Sequence, residues 1–517
     1  MKKIITFLSA LMVVTAVYAD AHVIRVNKER LQTITGFGAA CCDGAMKPYG
    51  NDVSPVSLLY GPTSKVGLNI MRMEISPNFI ENADGWGDYD WYGCVPSAKI
   101  VKQRGGIVFG TPWSPPGSYK TNGTAQGGNA DSQGNQRGKL RTDCYAKFFP
   151  WLNSYLKYMK SQGIEVSAVS IQNEPDWWVD YSGCLYSPQE QLTLVKNYAH
   201  LLDRETYPGV RLISGEPLGF THDYSDPLMN DPVARQHIDI VAGHLYGHAP
   251  LDYMKQSAQL ALKYGKEVWM TEHSVSDGLK DRLPNWNDQL EFARELNECM
   301  LAGCTGYIYW YMRAHWAFVG TGETQYKTSN EVPNELPNTR NYLLPRAYIM
   351  SHFAKNVTGS TRVSTTTTFD SSPALKNGNG TTGAQLQATA YVKGDSIIVM
   401  VINSQNRSHS MTIRLPEKVK SGTHWLSTNN SKAGLYQQTD IPISASTKTI
   451  IRSVPAKSVN TLVFMVDHEE TAVEDVEADD DLSSTYYDLQ GRPLDNPQGL
   501  CVERFANGTA RKVYIRK

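Results

Sequence analysis

Little of this 517-residue chain is charged, and what charge it has nearly cancels: charged residues make up 20% and the formal net charge is −1 at pH 7. Its lysines and arginines are scattered, so it lacks the basic footprint that nucleic acid or an anionic membrane surface requires, and no nucleic-acid partner is expected. There is no G-x-S-x-G elbow, no H-E-x-x-H helix and no G-x-x-x-x-G-K-[ST] phosphate loop, which sets aside three common chemistries. Cysteine is sparse. The 8 cysteines, Cys41, Cys42, Cys94, Cys144, Cys184, Cys299, Cys304 and Cys501, match no zinc spacing, and their pairing cannot be deduced from sequence. The apolar run Ile4 to Val17 is shorter than the ~20 residues a bilayer needs, so no membrane span is expected. It follows Lys2 and Lys3 and precedes Ala19-Asp20-Ala21, so residues 1–21 read as a secretory signal peptide, and export permits disulfides.

What is present is a repeating alternation of apolar strands and helical patterns. Val66 to Met73, Gly106 to Thr111, Val166 to Gln172, Val210 to Ser214, Ile238 to Tyr246, Glu267 to Thr271 and Gly306 to Tyr311 read as parallel strands, after an opening one from Gln32 to Ala40. Helical patterns fall at Asp143 to Gln162, Gln189 to Thr206, Ala258 to Tyr264 and Asp288 to Leu301. The fold class expected is therefore α/β, a (β/α)₈ barrel over residues 34–350, whose strands present functional groups at their carboxyl ends.

Two of these strands end abruptly in a carboxylate followed by turn chemistry: Ser170-Ile171-Gln172-Asn173-Glu174-Pro175-Asp176 and Glu267-Val268-Trp269-Met270-Thr271-Glu272-His273. Either Glu alone could cap a helix or sit in a structural ion pair. Two of them, roughly one hundred residues apart on barrel strands, suggest the paired carboxyl groups that glycoside hydrolysis requires. Asn173 stands beside the first, placed to bond a sugar hydroxyl near the scissile linkage.

Past residue 350 the chain changes character. Ser360 to Gly383 is rich in Thr, Ser, Asn and Gly; beyond it, short strands at Leu386 to Val392, Ser396 to Ile402, Met411 to Leu415, Thr449 to Val454 and Ser458 to Val466 suggest a β-sandwich over residues 351–466. His22 to Val26 alternates like a strand, and residues 22–33 are expected to pair with that later sheet. Residues 467–485 form an acidic linker.

Several motifs in one order carry a family resemblance. Thr111-Pro112-Trp113-Ser114-Pro115-Pro116 with Lys120-Thr121-Asn122-Gly123, then Ser170 to Asp176, His244-Leu245-Tyr246-Gly247, Trp269 to His273 and Trp310-Tyr311-Met312-Arg313 resemble glycoside hydrolase family 30, nearest its bacterial glucuronoxylanase branch. The resemblance covers nearly all of residues 22 to 466. It implies a secreted endo-β-1,4-xylanase acting by retaining double displacement, with Glu272 as nucleophile and Glu174 as acid/base. That division asks for a raised Glu174, an ionised Glu272 and about 5 Å between their carboxyl groups. Tyr246 would orient Glu272, and His244 would line the same rim or serve as packing. Trp113, Trp177 and Trp178 fall in rim loops, as sugar platforms or as loop anchors, and Trp310 joins the substrate-binding set. Arg313 would either fork a glucuronate carboxylate or pair at the rim. Relatives of that branch show two Trp before the Tyr and two Arg after it, whereas this chain has Tyr309-Trp310-Tyr311 and Arg313-Ala314; with a long polar loop from Thr321 to Asn341, this weakens any dependence on glucuronate.

The partner implied is plant cell-wall xylan, met by a monomer that needs no cofactor and no metal. Other specificities of the same family, a β-1,6-glucanase or an exo-β-glycosidase, stay open, as does a non-catalytic glycan-binding protein. Residues 486–517 resemble the short C-terminal sorting-type β segment of exported Bacteroidetes proteins, or form a simple extra hairpin; a released and a surface-held protein would look alike.

Overall fold

The computed structural model describes residues 22–42, 53–77, 91–127, 138–246, 251–274, 285–313, 317–320, 342–374, 383–468, 484–505 and 510–515. Residues 1–21, most of the acidic linker and the Thr321 to Asn341 loop lie outside them. The chain enters through β1 (His22–Thr33), which belongs to a later sheet, and then lays down β2 (Gly36–Cys41), β3 (Ile70–Ile75), β4 (Ile107–Pro112), β5 (Ala168–Ser170), β6 (Arg211–Ile213), β7 (Ile240–His244), β8 (Glu267–Glu272) and β9 (Gly306–Tyr309). These last eight are parallel to their neighbours and form a closed barrel, sealed where β2 pairs β9.

Around it run α1 (Ser54–Leu59), α2 (Val95–Gln103), α3 (Tyr145–Ser161), α4 (Pro188–Tyr198), α5 (His222–Asn230), α6 (Pro232–His237), α7 (Leu251–Lys263), α8 (Trp286–Ala302) and α9 (Pro345–Ala354). The helical pattern over Gln189 to Thr206 breaks early, α4 giving way to a 3₁₀ turn at Ala199–Leu201.

Barrel strands are buried on both faces, which is why they read as continuous apolar runs. Ile70, Phe109, Ala168, Ile213, Ile240, Ala242, Trp269 and Ile308 form a cluster of their own that plugs the barrel. Met71, Val108, Val169, Leu212, Val241, Val268 and Tyr307 point the other way and join the core shared with the helices. Moving two residues on from the plug, strand alternation returns to the interior with Arg72, Thr111, Ser170, His244 and Thr271, all 0% exposed. The apolar plug thus carries a polar layer at its carboxyl end.

After the short pair β10 (Val319–Gly320) and β11 (Tyr342–Leu343), the chain builds β12 (Thr361–Thr367), β13 (Leu386–Lys393), β14 (Ser396–Asn403), β15 (His409–Ser427), β16 (Gln437–Ile441), β17 (Thr447–Val454) and β18 (Ser458–Val466). These form one connected sheet, in the order β1-β12-β13-β14-β18-β15-β16 with β17 on β15. The sequence suggested two separate sheets; the 19-residue β15 joins the layers, its first part pairing β1 and β17 and its second part β18 and β16. The Thr-rich start of the Ser360 to Gly383 stretch is itself a strand, β12, paired antiparallel with β1; threonine is β-branched and suits that backbone.

Strand β14 is apolar at nearly every position because it faces two cores. Ile397, Val399 and Val401 line the side domain, whereas Ile398, Met400 and Ile402 join the barrel's core. Polar pairs cross the same interface: Asn297 donates to Gln387 Oε1 at 3.0 Å, and Thr389 donates to Asn297 Oδ1 at 2.7 Å. His352 bonds Thr461 Oγ1 and Ser427 Oγ at 2.8 and 2.9 Å, and burial pulls its pKa down to about 3. At the C-terminus β19 (Ser484–Tyr487), β20 (Pro493–Leu494), β21 (Gly499–Phe505) and β22 (Ala510–Ile515) form a four-stranded sheet in the order β20-β19-β21-β22. All eight cysteines are buried, and none is joined in a disulfide.

Candidate active site

Glu174 follows β5 and Glu272 ends β8, so both stand on the polar layer at the barrel's carboxyl face. Glu174 adopts φ 45, in the left-handed region, and its backbone N–H donates to Glu216 O at 2.8 Å. Such a backbone costs a non-glycine residue about 1–2 kcal/mol and persists because its neighbours fix it.

Glu272 reaches the interior by a different device. With Trp269 in the plug, alternation would send Thr271 inward and Glu272 outward. Register between β7 and β8 shifts there: Gly243 pairs Met270, but His244 pairs Glu272. Thr271 is the extra residue of a bulge, and the bulge turns Glu272 toward the cleft.

One carboxylate oxygen of Glu174, one of Glu272 and one ring nitrogen of His244 all lie within 4.8 Å of one another. Arg72 binds this group together. Its guanidinium donates to Glu272 Oε2 at 2.5 Å and to Asn173 Oδ1 at 2.7 Å, and pairs Glu216 Oε2 at 3.2 Å. Because Arg72 takes the Asn173 oxygen, the Asn173 amide group is oriented with its NH₂ on the other side. Glu216 also accepts from Thr111 Oγ1 at 2.8 Å. His244 Nδ1 lies 3.1 Å from Glu174 Oε1, and its Nε2 lies 3.5 Å from Glu216 Oε2.

Electrostatics follow from that packing. Burial opposes the charge on Glu216, but Arg72 and His244 outweigh it and hold the carboxyl at about 2. Burial also opposes charge on His244, yet Glu272, Glu174 and Glu216 outweigh it and hold the imidazole up at about 9. Burial pushes the Glu272 carboxyl up and Glu174 adds to the rise, while His244 and Arg72 pull it back. At neutral pH, the charges of Arg72 and His244 exceed that of Glu216 by one, so the layer beneath the carboxyl groups is net positive. A metal ion held by Glu174, His244 and Glu272 would face the Arg72 guanidinium, which already bonds Glu272, so this donor set suits protons better than a cation.

Above the pair opens a cleft of about 540 Å³ whose walls include Trp113, Asn173, Trp177, Tyr246 and Trp310, all named from the sequence, with Glu74, Tyr181, Ser274 and Tyr311 added. Trp113 and Trp310 lie 5.9 Å apart at 33°, and the Arg72 guanidinium sits 4.6 Å over the Trp113 ring. Trp177 is 48% exposed, a free aromatic face. The Lys120 ammonium is buried and donates to the carbonyls of Ala125, Gln126 and Gly183, pinning a neighbouring rim loop.

Four expectations change. Arg313 is 1% exposed and is not among the described residues of the cleft wall, so it is not a surface fork for a substrate carboxylate. His244 is fully buried beneath the carboxyl groups, so it sets their charge and does not line the rim. Tyr246 donates to Ser274 Oγ at 3.4 Å, and the group that orients Glu272 is Arg72. Trp178 is exposed, so it is not a buried loop anchor, and it is not among the described residues of the cleft wall.

Sequence reasoning passed over Arg72 and Glu216. Their signals were there: an arginine in the middle of an apolar strand, and a second strand ending in Glu-Pro at Ser214-Gly215-Glu216-Pro217.

Comparison with known proteins gives one family model and a consistent set of relatives. The model described as glycosyl hydrolase family 59 matches residues 145–337, the later part of the barrel. The chain is similar to glucuronoxylanase XynC of Bacillus subtilis, 26% identical over 407 residues that cover 77% of this chain and 82% of that protein. Among solved structures, the glycoside hydrolase family 30 subfamily 8 xylanase Xyn30A of Clostridium acetobutylicum superposes with a TM-score of 0.66 at 31% identity, covering 86% of this chain and all of that one. An endo-1,6-β-D-glucanase of Aspergillus fumigatus is 26% identical over 302 residues, 49% of this chain and 59% of that protein.

Proposed function

Since the chain belongs to glycoside hydrolase family 30, nearest its xylanases, we propose that it is an exported endo-β-1,4-xylanase that cleaves xylan with retention of configuration. One observation carries the mechanism: carboxylate oxygens of Glu174 and Glu272 lie within 4.8 Å. Retaining pairs stand about 5–5.5 Å apart, whereas inverting pairs leave ~6.5–9.5 Å for a water between them.

Glu272 attacks the anomeric carbon, and the C–O bond to the departing chain breaks as Glu174 gives its proton to the leaving oxygen. A glycosyl ester on Glu272 results. Glu174, now a carboxylate, takes a proton from water, whose oxygen displaces Glu272. Arg72 holds the Glu272 oxygen in line and favours its charge, and the Asn173 NH₂ is placed to meet a sugar hydroxyl. Trp113, Trp177 and Trp310 offer apolar faces to the rings. Residues 1–21 are assigned as the export signal and the C-terminal sheet as a sorting-type segment.

The second reading is a β-1,6-glucanase, favoured by the Aspergillus relative. Product analysis on glucuronoxylan, on arabinoxylan without glucuronate and on β-1,6-glucan separates the two. Oligomers from either xylan support the first; cleavage of the glucan alone replaces it.

A further inference from the structure

The Lys120-Thr121-Asn122-Gly123 stretch is a sequence motif that the mechanism has not used, and its lysine is buried where two rim loops meet. One loop leaves β4 and runs through residues 113–127; the other, residues 174–186, leads from β5 toward α4 and carries Glu174 at its start. Lys120 is 2% exposed. An ammonium has three N–H donors and is costly to bury unless they are met. Here Nζ donates to the carbonyls of Ala125 and Gln126 on its own loop, at 2.9 and 2.8 Å, and to that of Gly183 on the other at 2.5 Å.

Around that ammonium the two loops pair. Gln126 bridges Ser182 in antiparallel fashion. Gly127 N–H donates to Tyr181 O at 2.7 Å, and Gly183 N–H donates to Ala125 O at 3.2 Å. The base of the second loop is held by other bonds, from Trp177 N–H to Glu174 O at 3.1 Å and from Tyr186 N–H to Pro175 O at 2.9 Å. Loss of the ammonium therefore loosens the far part of the loop and spares Glu174. Tyr181 and Ser182 of that far part line the cleft, and the Tyr181 ring is 54% exposed. Because Glu174 protonates the oxygen of the departing chain, a ring on its own loop stands where that chain leaves.

We propose that Lys120 is a positioning residue: by clamping the two rim loops together it holds Tyr181 as a platform for the departing chain, and so sets the grip on polymer without touching it. The inference rests on the retaining-glycosidase reading above and would hold for either polymer.

The experiment compares Lys120→Met with the unaltered protein on xylan and on β-xylobiosyl fluoride, in which a single fluorine atom replaces the departing chain. On xylan KM should rise about 3- to 10-fold, as the loss of one aromatic contact implies. On the fluoride kcat/KM should stay within about twofold, because nothing there reaches Tyr181. In a Tyr181→Ala background, Lys120→Met should add little to KM on xylan, since both changes remove one contact. Equal losses on both substrates, an unmoved KM on xylan, or full additivity with Tyr181→Ala would each overturn the proposal. Should Lys120→Met not fold, Lys120→Gln, whose amide keeps two donors, carries the same comparison with a smaller shift expected. If the unaltered protein cuts β-1,6-glucan and neither xylan nor the xylobiosyl fluoride, the xylan reading falls; the comparison then runs on that glucan against gentiobiosyl fluoride, with the same results deciding.

Discussion

Replacing Arg72 should disable the site in a way that reveals its electrostatics. Three bonds go with the guanidinium: to Glu272 Oε2 at 2.5 Å, to Asn173 Oδ1 at 2.7 Å and to Glu216 Oε2 at 3.2 Å. In Arg72→Met, two buried carboxyl groups lose their shared cation, a loss of about 3–5 kcal/mol when one partner of a buried pair is removed. A domain stable by ~5–15 kcal/mol survives this with a lowered Tm. The chemical effect is larger than the structural one. Burial already pushes Glu272 up, and without Arg72 it rises further, so less of the nucleophile is ionised at neutral pH.

We expect kcat/KM to fall by about 10²- to 10⁴-fold, with the acidic limb of its pH profile moved to higher pH. Arg72→Lys restores charge but not the planar fork, so it should recover much of the Tm yet stay ~10- to 100-fold slow. Thermal unfolding and pH profiles of kcat/KM test both. Activity within about threefold of the unaltered protein in Arg72→Met, with the acidic limb unmoved, would refute the reasoning.

Further predictions follow the same logic. Glu174→Gln and Glu272→Ala should each lower turnover by about a thousandfold or more while a cooperative unfolding transition remains; a verified variant of near-normal activity contradicts the assignment. Glu216→Gln removes one of the carboxylates that hold His244 up at about 9, so a histidine titration followed by NMR should find that ring at a lower pKa.

Stability should peak near pH 6.5. Glu216, depressed to about 2, contributes fully above its unfolded value of ~4.5 and loses that contribution, on the order of 3 kcal/mol, as pH falls toward 2. His352, depressed to about 3, likewise withdraws stability below ~6.5, while His244, raised to about 9, contributes fully below ~6.5 and loses it as pH climbs through 9. A flat Tm from pH 4 to 9 would contradict these linkages. Deleting Thr271 removes the bulge and leaves Glu272 facing inward but shifted along β8 relative to Glu174, so activity should fall sharply even where a cooperative unfolding transition remains.

The barrel was legible in sequence because burial on both faces leaves long apolar runs with abrupt polar ends. Glu174 and Glu272 stood out for that reason, and the structure places both on one cleft. What supports them was harder to see. Arg72 is one charged residue among methionines and isoleucines, and its purpose exists only once β3, β6 and β8 are closed into a ring. The Thr271 bulge is a register event between two strands, invisible in either alone. Arg313 misled because a guanidinium next to a strand end looks the same in sequence whether it is exposed or buried, and here it is buried. The strand at Thr361–Thr367 was hidden by its composition: threonine belongs equally to strands and to polar loops, and only β1, more than 300 residues earlier, decides between them.

The most direct test of the account is the configuration of the first product. Hydrolysis of a xylan followed by proton NMR should show the new reducing end appearing as the β-anomer, with the α-anomer rising only by later mutarotation. Initial appearance of the α-anomer would mean direct displacement by water, and would contradict the role given to the close pair Glu174 and Glu272.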